Sequence, residues 1–336
     1  MLSFQKLVRV IAKVILCVFC VVLIISVFQM SFSTFARSLI VAIEIGMVYG
    51  VLALGIYLTF RTINFPDLTC DGSFITGAAV SAICIKSGCS PFLGLVLAMF
   101  AGCLSGVLTG VLHVRLKIDD LLSGIIVAFM LYSLNLRIMG ANPNISLVDE
   151  KTIFELFECG NSLMTSSIIV TILLVFLTIL LNSDFGLGLR SVGQNKQFAS
   201  ANGVNINSMI IFGLALSNAL VGMCGAIFTQ YQGFCDVSQG VGCLVIGLAS
   251  VIIGEKLMSR FRIDTLIDTL NNIEVTSFLK ILIVFVSCVL GSVVYRVFIA
   301  IAVNSDIFGL RTQDLNLITG LLIIFVMSQG EKKKRL

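Results

Sequence analysis

The sequence predicts an all-α fold: a polytopic membrane helix bundle of about ten spans, with an inverted-topology repeat and both termini cytoplasmic. Three observations predict it. Of 336 residues, 58% are hydrophobic and only 12% are charged, about half the charged fraction of a soluble domain. The apolar residues come in long blocks: no Asp, Glu, Lys, Arg or His interrupts Val14–Ala36, Ser87–Leu112, Cys159–Ser183 or Gln197–Cys235. Crossing about 30 Å of hydrocarbon at 1.5 Å per residue takes about 20 such residues. The blocks lack the alternating polarity of a transmembrane β-strand, which leaves helices. Thirdly, an N-terminus placed in the cytoplasm collects 16 of the 22 Lys and Arg on that side and 5 on the other, with Arg296 inside a segment, as the positive-inside rule requires.

Ten segments follow in order: 14–34, 39–60, 72–86, 91–113, 121–138, 163–182, 208–230, 241–254, 278–303 and 314–330. The first follows basic Lys6, Arg9 and Lys13, but no small-x-small cleavage site follows it. It therefore reads as an uncleaved helix rather than a signal peptide. The third and eighth are short and Gly-rich. In the fourth, Ala98, Gly102, Gly106 and Gly110 recur every four residues, a face on which two helices approach closely. Asn142–Glu158, with Pro143 and four acids, reads as an external loop. The basic tail Lys332–Arg335 suits the anionic inner surface of a bilayer rather than a nucleic acid. The chain divides as an extra N-terminal helix (1–38), a first repeat half (39–160), the sixth span with a cytoplasmic segment (161–207), a second repeat half (208–330) and the tail (331–336).

Chemistry-bearing residues are sparse. The 11 cysteines lie mostly inside apolar segments and read as small packing residues, with no metal set. The single His113 lies beside Arg115 at a helix end, where snorkelling explains it. No G-x-x-x-x-G-K-[ST] phosphate loop or nucleophile constellation is present, so the chain is not expected to be an enzyme.

The repeat carries more information. Phe65-Pro66-Asp67-Leu68-Thr69 recurs as Phe234-Cys235-Asp236-Val237-Ser238, each after a long apolar helix and before a short Gly-rich one. The preceding helices run in opposite directions in the ten-span topology, which makes the repeat inverted. Interrupted helices in such repeats often line a solute path. Asn64, Asp67, Asp71, Tyr231 and Asp236 are thus candidate path residues. For the carboxylates the competing role is to cap the following helix. Glu44 and Arg296 read as members of buried pairs.

Between the sixth and seventh spans stands Leu189-Arg190-Ser-Val-Gly193-Gln-Asn195-Lys-Gln-Phe-Ala199-Ser-Ala-Asn-Gly203-Val. Asn195 can cap a helix of about two turns and Asn202-Gly203 can end it. Too short to be stable alone, that helix needs something to dock against. This segment resembles the coupling segment of permease subunits of ABC importers of the branched-chain amino acid and ribose type. The stretches Arg61–Phe74, Leu134–Gly140, Leu214–Leu220, Tyr231–Phe234 and Val245–Glu255 are similar to a tryptophan/tyrosine-type branch.

That resemblance implies a transmembrane permease subunit of an ATP-driven importer, in a bacterial inner membrane, for a small solute such as an amino acid. It implies that Leu189, Arg190, Gly193, Asn195, Ala199 and Gly203 couple to a separate ATPase subunit, which holds the ATP and Mg. The chain itself carries no cofactor. A second permease copy, forming a homodimer, and an extracytoplasmic solute-binding protein complete the implied assembly within the lipid bilayer. The N-terminal extension and the long 259–277 stretch depart from the family pattern. The alternative is a secondary transporter driven by an ion gradient, working without an ATPase.

Overall fold

The computed structural model describes residues 32–156, 162–260 and 273–303, with positions 320 and 324. The first and tenth expected segments, most of the 259–277 stretch and the basic tail lie essentially outside the described residues. Within them the helices are α1 (Phe32–Tyr57), α2 (Cys70–Lys86), α3 (Pro91–Leu116), α4 (Asp120–Ile138), the short α5 (Ile153–Leu156), α6 (Ser162–Asn182), α7 (Asp184–Gln194), α8 (Lys196–Ala201), α9 (Ile206–Gln232), α10 (Cys243–Arg260) and α11 (Ile273–Val303). Two three-residue strands, β1 (Asn144–Ser146) and β2 (Phe234–Asp236), complete the set.

Among the described residues six helices are long and apolar enough to cross a membrane: Arg37–Thr62, Pro91–Leu116, Asp120–Ile138, Ser162–Asn182, Ile206–Gln232 and Phe278–Ala302. They coincide with expected segments two, four, five, six, seven and nine. Expected segments three and eight are also helical, as α2 and α10, but α2 is only 17 residues long and neither is among the six. The six spans make the chain a multi-pass membrane protein.

The contacts divide the chain into two compact units, 1–46 with 293–336, and 47–292. In the larger unit α9 is central: 78% of its spanning window is buried, and it packs chiefly on α3 and α2. The close approach follows from small residues, as the glycine row in α3 suggested. A methyl group at Gly102 would strike the Asn218 carbonyl, and one at Gly106 the Leu214 carbonyl. On the α2 side, Gly77 meets the Gly222 backbone and Gly225 meets the Phe74 carbonyl. Lipid supplies no hydrophobic force between helices, so such backbone contact, with its dispersion and hydrogen bonds, holds them together. By contrast α6 exposes Ile172, Val175, Phe176 and Ile179.

The stretch after α4 carries a short strand in an otherwise helical fold. Asn144–Ser146 pairs antiparallel with Phe234–Asp236, in register Asn144↔Asp236 and Ser146↔Phe234. The cause is a local apolar alternation: Ile145 and Leu147 point inward and are buried with Cys235, Val237, Met139 and Ala78. Leu147 N–H donates to the Gly233 carbonyl and Val237 N–H to the Pro143 carbonyl. Polar composition suggested a solvated loop, but every second residue is apolar, and that is a strand signal.

Replacing Gly102 by Leu is expected to overpack the α3–α9 contact and cost about 1–3 kcal/mol or more. A lowered thermal midpoint of the detergent-solubilised chain would register it. Gly88→Asn, at φ +80° with no atom near, is expected to leave the midpoint unchanged, because Asn tolerates the left-handed region.

Candidate functional site

The break after α1 is built from its last residues onward. Leu58–Thr62 widens into a π-helical turn, a form that often marks functional positions. Asn64 then takes φ +53°, a left-handed conformation that Asn adopts more readily than most residues. This turns the chain out of the helix before Pro66. Asn64 itself is exposed, whereas Asp67, three residues later, is fully buried.

Asp67 sits at the centre of a polar network inside an apolar bundle. Its Oδ1 accepts the Thr69 N–H at 2.9 Å. Its Oδ2 accepts the Asn218 Nδ2–H at 2.6 Å, and the Cys70 thiol points at the same oxygen from 3.9 Å. Asn218 is saturated: its second Nδ2 hydrogen goes to the Leu214 carbonyl at 3.0 Å. Its Oδ1 accepts from Ser73 Oγ at 2.7 Å, which settles the orientation of the amide. Ser105 divides its single hydrogen between Ser73 Oγ and the Gly102 carbonyl. Thr109 donates back to the Ser105 carbonyl, so Thr69 donates to Thr109 across a 2.7 Å contact. One connected set of side chains thus spans the α1–α2 break, α2, α3 and α9. Each is buried, and burial of a carboxylate is tolerable only with such donors.

Asp71 does something different. It lies in the first turn of α2, but its carboxylate accepts the N–H groups of Gly242 at 3.1 Å and Leu244 at 2.8 Å. These N–H groups stand at the start of α10, Gly242 just before it and Leu244 in its first turn. Asp71 is therefore a cap, but for the helix of the other repeat copy rather than its own. Asp236 accepts the Ser238 N–H at 2.7 Å and lies beside Asn144 Nδ2 at 3.4 Å. The two repeat copies thus share a local geometry. In each, the Asp Oδ1 takes the N–H two residues on and Oδ2 faces an Asn amide. Tyr231 packs edge-on against Phe154, 5.6 Å between ring centroids, at the same end of α9 as Asp236.

At the opposite end of α9 the segment Asp184–Ala201 forms an elbow. Ser183 caps α7 by accepting the Gly186 N–H. Asn195 ends α7 in extended backbone and caps α8 by accepting the Phe198 N–H at 3.0 Å. Gly203, at φ +79°, terminates the turn. The Asn195 cap and the Gly203 terminator are those expected from sequence; α7, with its Ser183 cap, is an additional helix. The elbow is docked: Leu189, Val192 and Ala199 are buried, and Gly193 lies so close to the Thr62 carbonyl that a Cβ would overlap it. Arg190 is half-buried, and burial holds its guanidinium below its ordinary value, partly offset by the nearby Tyr57. Phe198, by contrast, is 63% exposed on α8.

The structure thus brings Asn64, Asp67 and Asp71 together around one helix break and Tyr231 and Asp236 around the other. Leu189, Arg190, Gly193, Asn195, Ala199 and Gly203 share the elbow. Sequence reasoning missed Asn218, Ser73, Ser105, Thr109 and Phe198. Ser105 and Thr109 recur at i, i+4 inside an apolar helix, as do Thr69 and Ser73, and that polar stripe was a legible signal. His113 faces Phe65 edge-on at 5.1 Å and contacts the Ile118 carbonyl through Nδ1 at 2.9 Å. Among the described residues no group of His, Cys, Asp and Glu is disposed to hold a metal.

Exchanging one oxygen for an amide in Asp67→Asn sets an N–H₂ group against a donor in either orientation, Asn218 Nδ2 or the Thr69 N–H. A loss of about 1–3 kcal/mol is expected, read as a lower unfolding midpoint. The exchange variant Asp67→Asn/Asn218→Asp is expected to recover part of it. Asp71→Ala is expected to cost about 1 kcal/mol, and hydrogen exchange should show it as faster exchange of the Gly242 and Leu244 amides.

The chain's relatives bear on what this arrangement serves. A family model described as "Branched-chain amino acid transport system / permease component" matches residues 38–327. A tyrosine transport system permease protein of Clostridioides difficile is 36% identical over 286 residues, covering 84% of this chain and 88% of the relative. An uncharacterized protein of Rickettsia prowazekii is 31% identical over 295 residues, covering 88% and 98%. A probable branched-chain amino acid transport permease protein of Methanocaldococcus jannaschii is 27% identical, covering 62% and 71%. No solved structure matches the chain. With the family model matching nearly the whole chain, and a 36% identical relative alongside it, this protein belongs to the branched-chain amino acid transport system permease family, the membrane permeases of ABC transporters.

Proposed function

We propose that two copies of this chain form the translocation path of an ATP-driven importer of an amino acid in the bacterial inner membrane. A separate ATPase subunit, with its ATP and Mg, grips the α7–α8 elbow from the cytoplasm, and an extracytoplasmic binding protein delivers the solute. The observation that carries this reading is the elbow itself. Its inner face is buried on the bundle, while α8 presents Phe198, a large aromatic side chain, at 63% exposure between two spans. A docked helix with an exposed aromatic anchor is suited to fill a pocket on a partner.

Two rigid routes lead from the elbow to the repeat copies. Gly193 abuts the Thr62 carbonyl, at the start of the turn that leads to Asn64, Asp67 and Asp71. After Gly203, α9 runs without interruption to Tyr231 and ends at Gln232, just before the strand that carries Asp236. A displacement of α8 by the ATPase therefore reaches both helix breaks, and in this reading those five residues line or gate the path. An inverted repeat with cytoplasmic termini gives the two breaks opposite orientations, as alternating access requires. The amino acid substrate is supported by the tyrosine and branched-chain names of the relatives. Selection among solutes then falls largely to the binding protein.

Phe198→Ala is expected to weaken ATPase association about tenfold or more and to abolish coupled uptake, with insertion and thermal midpoint unchanged. Co-purification with the ATPase and uptake by reconstituted vesicles measure both. Unchanged association would refute the docking assignment. Uptake by the chain reconstituted without any ATPase would establish the secondary-transporter alternative instead.

A further inference from the structure

Cys84 and Cys89 frame the end of α2, and their thiols lie within hydrogen-bonding reach of each other. The backbone puts them there. Ser87 closes α2, Gly88 takes φ +80°, and the chain turns back on the helix. Gly88 N–H donates to the Ile85 carbonyl at 2.9 Å and Cys89 N–H to the Cys84 carbonyl at 3.1 Å. These are the paired 5→2 and 6→1 bonds of a Schellman motif, in which side chains at the positions of Cys84 and Cys89 frequently touch. In an ordinary motif that contact is apolar. Here both partners are thiols.

Three features suit the pair to covalent closure. The 3.1 Å backbone bond between the two residues limits their Cα atoms to a separation of about 7 Å at most, and a disulfide spans about 4.4–6.8 Å. Access is one-sided: Cys89 is exposed and Cys84 is buried, and a Cβ built at Gly88 would meet no atom within 4 Å. An oxidant therefore reaches Cys89 first, with Cys84 standing behind it. The turn is also anchored on both flanks. Gln230 Nε2 donates to Ser81 Oγ on α2 at 3.0 Å and to the Pro91 carbonyl at the start of α3 at 3.3 Å. Ser90 caps α3 by accepting the Leu93 N–H. Closing the bond asks for no movement of either helix.

We propose that Cys84 and Cys89 form a disulfide on the extracytoplasmic face of the membrane, by exchange with a small-molecule or protein disulfide. The Cys89 thiolate attacks that disulfide and displaces one of its sulfurs, giving a mixed disulfide. The Cys84 thiolate then attacks the Cys89 sulfur and displaces the other. The two cysteines are oxidised, the incoming disulfide is reduced to two thiols, and the two cysteine protons end on those thiols. Gln230, which holds the turn, lies near the last residue of α9, Gln232, whereas the elbow precedes its first, Ile206. The turn is therefore at the end of α9 opposite the elbow. Its side of the membrane rests on the cytoplasmic placement of the elbow proposed above; the pairing does not. Disulfides persist outside the cytoplasm, where glutathione and thioredoxin do not keep thiols reduced. Once formed, the bond fastens the outer end of α2, the helix whose first turn carries Asp71.

The test uses the full chain without any ATPase. Purified protein is reduced, freed of reductant, exposed to glutathione disulfide, quenched in acid, denatured with N-ethylmaleimide and read by peptide mass spectrometry. In the parent chain Cys84 and Cys89 are expected in one disulfide, with alkylation of both lost and then restored by dithiothreitol. Cys84→Ser is expected to trap glutathione on Cys89, whereas Cys89→Ser leaves Cys84 alkylatable and without an adduct. Parent-like thermal midpoints of the reduced variants guard against misfolding. Two alkylatable thiols in the treated parent, or a bond from Cys89 to any other cysteine, would overturn the pairing. Glutathione held on Cys84 in place of Cys89 would overturn the order of attack. The side is tested apart from the pairing. In intact cells treated with reductant, a membrane-impermeant maleimide is expected to label Cys89. Labelling only after the membrane is opened would overturn the extracytoplasmic assignment and with it the cytoplasmic elbow, while the pairing is judged on the purified protein alone.

Discussion

The hydrogen bond between Asp67 and Asn218 is the contact on which the rest of the larger unit depends. It joins residues 151 apart in sequence, and both are fully buried. Everything nearby is arranged to make it possible. Glycines and small residues on α2, α3 and α9 bring the backbones close enough for short side chains to reach across. Ser73, Ser105, Thr69 and Thr109 then satisfy the remaining donors and acceptors. In lipid, apolar packing alone discriminates poorly between helix partners and registers. A network in which an amide is saturated on both ends specifies one register, because a shift by one residue would strand a carboxylate in hydrocarbon.

The same logic explains why three acids of the repeat have three different partners. Asp67 accepts hydrogen bonds from donors in its own turn and on α9. Asp236, less buried, keeps the turn hydrogen bond but faces Asn144 from the strand pair. Asp71 reaches across to N–H groups at the start of α10, where the helix dipole favours a negative charge. That last contact ties the start of one repeat's short helix to the start of the other's. Any motion that separates the breaks must therefore release two charge-assisted hydrogen bonds, while a motion that carries them together releases none.

The elbow occupies the other end of α9 and obeys different physics. Its two helices, of 11 and 6 residues, are too short to persist without tertiary support. Leu189, Val192 and Ala199 provide it by burial, and Gly193 does so by permitting contact with the Thr62 carbonyl. What remains exposed, Phe198 above all, is then free to serve a partner. In the proposed importer the division is functional: the inner face transmits displacement and the outer face receives it.

Sequence by itself determined the membrane setting, the positions of the described spans to within a few residues, the glycine face of α3, the caps at Asn195 and Gly203, and the family. These rest on local quantities: run lengths of apolar residues, four-residue spacing, and capping chemistry that acts within one turn. The described residues contain no counterpart for the first and tenth segments, which lie outside them. Tertiary structure alone decided what each polar residue does. Asp71 reads in sequence as a cap for the helix it begins, yet its partners are 171 and 173 residues away. Ala199 and Phe198 are neighbours in the chain, but only the fold turns one inward and the other outward. Asn144–Ser146 looks like loop until β2 is beside it. Hydrogen-bond partners and helix faces depend on which elements meet, and in lipid that choice is made by backbone proximity and buried polar pairs between distant residues, which no local pattern encodes.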